Sequence, residues 1–135
     1  MKLGSVVLDS DNAEELAAFY EKLLSWTKIY QEHEGEKWII LVDESGKGVP
    51  LVFQQIADYQ RPVWPTKAKE QQQMLHLDFY VPTEEFEREV KRALACGARL
   101  ASEQLSPDWR VFLDPAGHPF CIIPVPADFY ENTVK

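Results

Sequence analysis

The sequence predicts an α+β fold made of two tandem βαβββ copies, and three observations carry that expectation. Trp38, Asp43 and Gly46 recur as Trp109, Asp114 and Gly117 at one constant offset of 71 residues. Two stretches space their apolar residues at helical intervals. Short apolar segments bounded by turn residues surround them, and one alternates cleanly with a period of two.

The elements follow in order. Ser5-Val6-Val7-Leu8 reads as a first strand, and Asp9 to Asn12 is rich in residues that cap helix N-termini. Leu16, Phe19, Tyr20, Leu23 and Leu24 then mark the apolar face of a helix. Trp38 to Val42 reads as a strand that ends in the turn Asp43-Glu44-Ser45-Gly46. The offset lays Ser5 to Leu8 over His76-Leu77-Asp78-Phe79, Phe19 over Val90, and Leu23 over Leu94. The second helix therefore begins at a capping Thr83 and carries Glu84, Glu85 and Glu87 in its first turn, where carboxylates suit the helix dipole. Phe86, Val90 and Leu94 are its expected buried stripe, and Gly97 its left-handed stop. Trp109 to Leu113 and the turn Asp114-Pro115-Ala116-Gly117 repeat the first copy's ending. Past Gly46 the first copy is two residues longer, so Pro50 falls on Pro119 and Val52 on Cys121. The expected boundaries within one domain are about 3–56 for the first repeat and about 74–124 for the second. A connecting stretch of about 57–73 and a tail of 125–135 complete the chain.

Parity then says where a binding face lies. In an expected strand from Leu75 to Val81 the apolar Leu75, Leu77, Phe79 and Val81 alternate with His76, Asp78 and Tyr80. Alternation sends the two sets to opposite faces, the apolar one beneath the helix. The face with His76, Asp78 and Tyr80 is left to line a cleft.

Composition narrows the function classes. Hydrophobic residues are 45% and charged residues 27% of the 135, the balance of a folded globule. A net charge of −8 without a basic stripe argues against nucleic acid. No apolar run is long enough to span a bilayer, and the N-terminus lacks the form of a signal peptide, so the expectation is a cytoplasmic protein without a membrane partner. Cys96 and Cys121 form no motif and are expected as reduced thiols.

Taken together, Phe19-Tyr20, Leu24-Ser25-Trp26, His76-Leu77-Asp78 and Asp114 to Cys121 resemble the glyoxalase-like domain family of the vicinal-oxygen-chelate superfamily. Pro62-Val63-Trp64-Pro65 and Gln72-Gln73-Met74-Leu75-His76 resemble the inter-copy signature of one bacterial subgroup. The resemblance implies an incomplete barrel of two βαβββ units around a cleft, the glyoxalase/bleomycin resistance fold. Enzymes of the family commonly hold a divalent metal at four positions, which fall here on Ser5, Val52, His76 and Cys121. Gln54 stands in if the alignment slips. Three of the four are not typical donors for such a metal, so the expectation is no metal and no cofactor.

The candidate cleft residues are His76, Asp78, Gln54, Arg110, Cys121, Trp38 and Trp109. His76 is a hydrogen-bond partner or general base, or a histidine that merely pairs with Asp78. Cys121 is a cleft thiol or a small buried hydrophobe. Trp38 and Trp109 either wall an apolar ligand or pack in equivalent strands. Arg110 offers a fork to an anionic group, or makes a surface ion pair. Gln54 contacts a ligand or ends a strand, and His118 belongs to a turn. Three functions remain open: a metal-free small-molecule binder, a metal-dependent lyase, isomerase or dioxygenase, and an interaction module with a vestigial cleft. Tyr59, Val63 and Trp64 in the connecting stretch are expected at a homodimer contact or a lid.

Overall fold

A computed structural model describes residues 1–129. The chain divides into two compact units, Met1–Gln60 and Arg61–Lys135, each containing one copy of the repeat. The expected tail falls partly on residues 130–135, which lie outside the described residues.

In the first unit β1 (Val6–Ser10), α1 (Ala13–Leu24), β2 (Thr27–His33), β3 (Glu36–Val42) and β4 (Leu51–Gln55) follow one another. The sheet order is β1-β4-β3-β2. β1 runs parallel to β4, and the other neighbours are antiparallel. α1 starts where the sequence has its capping residues: Asn12 Oδ1 accepts from the Glu15 N–H at 3.1 Å, and Ser10 Oγ accepts from the Asn12 N–H at 2.9 Å. Leu16, Phe19, Tyr20 and Leu23 are buried, as are Leu8, Ile39, Leu41 and Phe53 on the strands. Tyr20 stacks on Phe53 with ring centroids 5.8 Å apart. Burying an aliphatic or aromatic side chain of this size is worth about 1.5–3 kcal/mol.

The second unit repeats the plan with β5 (Leu77–Pro82), α2 (Phe86–Cys96), β6 (Arg99–Leu100), β7 (Arg110–Leu113) and β8 (Pro119–Val125). Its order, β5-β8-β7-β6, is that of the first sheet, with β5 parallel to β8. The α+β fold of two tandem βαβββ copies is therefore as the sequence predicts. Phe112 and Phe120 stack at 5.4 Å, and Phe79 meets Phe120 edge-on at 5.7 Å.

The copies differ where local chemistry differs. β5 begins at Leu77, whose partner is Phe120, and Leu75 is 64% exposed. β8 starts at Pro119, and its ladder with β5 opens one residue later, at Phe120 opposite Leu77. Thr83 does not cap α2. It enters a 3-10 turn, Thr83–Glu85, and its hydroxyl donates to the Val125 carbonyl. That turn sets the register of α2, which buries Phe86 and Ala93. Val90 is only half-buried and Leu94 is 44% exposed, so the expected stripe is wrong at its end. β6 keeps two residues where β2 has seven, and Trp109 ends just short of β7 instead of lying in a strand. Gly97 does stop α2 in a left-handed conformation, φ 111°, and its N–H reaches the Leu94 carbonyl.

The connecting stretch has internal structure. Val63 bridges to Gln72, and Trp64 packs against Ala101, Val111 and Cys121. Trp64 is thus half-buried within its own chain, not the exposed side chain expected of a lid or dimer contact.

Candidate functional site

β5 and β8 build the site because their parallel register sets Asp78 directly beside Cys121 and Tyr80 beside Ile123. Val111 lies on the other side of Cys121, across the antiparallel β7–β8 pair. Residues directly opposite in a sheet share a face, so Asp78, Cys121 and Val111 point the same way. His76 precedes β5 by one residue and turns its ring to Asp78, with Nε2 3.3 Å from Oδ1. The pairing is direct. One ligand atom from each of His76, Asp78 and Cys121 lies within 4.8 Å of the other two.

Burial divides this trio. The side chains of His76 and Asp78 are 43% and 38% exposed, whereas Cys121 is 7% exposed. Burial pushes the Cys121 thiol up to about 11, and the adjacent Asp78 carboxylate adds to the effect by repelling a thiolate and accepting the thiol proton. At neutral pH Cys121 is consequently a protonated donor and not a ready nucleophile. Around it, Ala101 and Val111 are buried, with Trp64, Trp109 and Ile123 packed on them. The indole N–H of Trp64 is buried there with no hydrogen-bond partner among the described residues. Two polar groups open to solvent therefore sit beside an apolar wall that carries an unused donor.

The remaining sequence candidates lie elsewhere. Arg110 pairs with Ile122 one step along the ladder, on the opposite face. Its guanidinium lies over the Phe86 ring at 5.4 Å and donates to the carbonyls of Pro107 and Trp109. Helix packing holds it away from the trio. Trp38 and Gln54 belong to the first unit, where Glu36, Lys37, Gln55, Ile56 and Ala57 complete an open groove of about 440 Å³ with them. His118 is the turn residue expected, but with a partner: Nδ1 lies 2.8 Å from Oδ2 of the buried Asp114.

Sequence reading paired Asp78 with His76 and missed it as a third donor beside Cys121. The signal was two residues assigned to the cleft, Asp78 and Cys121, on the first and last strands of one copy. Their direct pairing depends on a register that the sequence does not state. The four positions that the resemblance assigns to a metal, Ser5, Val52, His76 and Cys121, do not make a fitting set. Val52 is a buried aliphatic with no donor atom, and Ser5 offers a neutral hydroxyl.

Comparison with known proteins is consistent with the fold. A fosfomycin resistance protein, FosX, from Listeria monocytogenes, solved with Mn(II) and 1S,2S-dihydroxypropylphosphonic acid, matches with a TM-score of 0.68 at 16% identity, covering 99% of this chain and 98% of that one. A glyoxalase/bleomycin resistance protein/dioxygenase family enzyme from Burkholderia phytofirmans PsJN matches with a TM-score of 0.67 at 19% identity, covering 93% and 99%. Glyoxalase I of Leishmania major, described as trypanothione-dependent, gives 0.66 at 12% identity over 92% and 86%. No curated protein sequence matches. The sequence model described as glyoxalase-like domain matches residues 5–123, and the chain belongs to that family.

Proposed function

We propose that this glyoxalase-like protein binds a small molecule on the open face of its second sheet, without the four-donor catalytic metal of the family's enzymes. The observation that carries this reading is the convergence of His76, Asp78 and Cys121 on one face, half-open to solvent and walled by Trp109 and Trp64. Exposed His76 and Asp78 supply polar contacts, and the apolar wall favours a ligand with a hydrophobic or aromatic part. Val52 and Ser5 argue against metal-dependent lyase, isomerase or dioxygenase chemistry through the family's usual set.

A thermal-shift screen of metabolites and antibiotics on chelator-treated protein tests the reading, since a ligand that binds the folded state raises the melting temperature. For a hit, His76→Ala should weaken binding by about 1–3 kcal/mol, roughly 5- to 150-fold, by leaving a ligand group unpaired. It should leave the melting temperature of the free protein nearly unchanged, because His76 is exposed. Unchanged affinity with a lowered melting temperature would instead make His76 structural and sink the assignment.

A further inference from the structure

We infer that the second repeat by itself carries a cation site, His76–Asp78–Cys121, suited to a borderline divalent ion such as Zn²⁺; it shares His76 and Cys121 with the four positions the resemblance assigns, and Asp78 completes it without Ser5 or Val52. The inference rests on the reading of this face as the binding face, and it names the class of ligand that the polar trio takes. Asp78 is what sets it apart. It is not one of the four positions the resemblance assigns, and it reaches the cluster because β5 pairs with β8 at Asp78 opposite Cys121.

The donor set is one imidazole nitrogen, one carboxylate oxygen and one sulfur. Such a mixture selects Zn²⁺ or Co²⁺ over Mg²⁺ or Ca²⁺, which need several hard oxygens. Tetrahedral bonds of about 2.0–2.3 Å place donor atoms roughly 3.2–3.8 Å apart. The three ligand atoms already lie within 4.8 Å of one another, so side-chain rotations close the remaining distance. His76 and Asp78 are the half-exposed members and have room for those rotations, while the strand fixes buried Cys121. Ala101, Val111 and the packed indoles shield the sulfur side, and the solvent side leaves a fourth position for water or an oxygen of a small molecule. A cation held there would release the thiol proton to solvent and offset the repulsion between the Cys121 thiolate and the Asp78 carboxylate.

The test uses the full chain, stripped with chelator and dialysed against Zn²⁺, with metal content read by elemental analysis and Co²⁺ as an optical probe. One ion per chain is expected, together with the intense d–d bands of tetrahedral Co²⁺ and a thiolate-to-cobalt charge-transfer band. Cys121→Ser should abolish the charge-transfer band, Asp78→Asn should weaken loading by about tenfold or more, and Cys96→Ser should change neither. Circular dichroism confirms that each variant is folded. If Cys121→Ser does not fold, Asp78→Asn and Cys96→Ser decide the matter. Metal content well below one per chain, an octahedral cobalt spectrum, or a charge-transfer band that follows Cys96 would overturn the inference. Ligand binding by chelated protein that never loads Zn²⁺ would overturn this inference and leave the proposed function standing. Stoichiometric loading with ligands bound only when Zn²⁺ is present would do the opposite.

Discussion

Two aspartates at equivalent places in the repeat show how much a single residue's setting matters. Asp43 and Asp114 both close turns, yet Asp114 is 2% exposed and Asp43 only half-buried. Asp114 Oδ1 accepts from the N–H groups of Ala116 at 2.9 Å and His118 at 3.0 Å, while Oδ2 faces the His118 ring. Asp43 accepts from the Ser45 and Gly48 N–H groups, each at 2.9 Å, near water that can replace it. Hydrogen bonds from the Ser45 side chain and backbone hold the Asp43 carboxyl below the ordinary carboxylate range. Asp114→Ala strands buried donors and should destabilise the protein by about 2–4 kcal/mol, at roughly 1–3 kcal/mol for each unsatisfied group. Asp43→Ala should cost clearly less, because solvent can take over its hydrogen bonds. Urea denaturation midpoints compare the two directly, and equal losses would contradict the burial argument.

The paired helices carry the same lesson to whole elements. Leu23 on α1 and Leu94 on α2 are equivalent by the sequence offset, but Leu23 is 7% exposed and Leu94 44%. The 3-10 turn ahead of α2 rotates its buried line onto Phe86 and Ala93. Leu23→Ala should therefore cost about 2–5 kcal/mol by opening a cavity. Leu94→Ala should stay within about 0.5 kcal/mol, as is usual for a surface position. Thermal unfolding of the two variants checks the difference. Helix existence and type are legible in the apolar spacing. The rotation of α2 is not, because it depends on where Thr83 finds its partner, the Val125 carbonyl of a strand more than 40 residues away.

For the whole molecule, the two sheets share one strand order, and in each the first strand lies at the edge, parallel to the last. Among the described residues no helix is long and apolar enough to cross a membrane. We propose a homodimer, supported by the exposed Leu100 and Leu105 of the second unit and not by the half-buried Trp64. Light scattering at micromolar concentration should give twice the chain mass, and a monomer mass would remove the proposal. The sequence by itself determined the two βαβββ copies, the turns and both helices, because repeat spacing, periodicity and capping chemistry are local. Strand parity also put His76 and Asp78 on the cleft face, and the family resemblance added Cys121. Only the tertiary structure decided that these three meet, that Arg110 is held by Phe86 on the other face, and that Trp64 folds back beside Cys121. Each of those outcomes is a contact between residues distant in the chain, fixed by strand register and packing and written in no single segment.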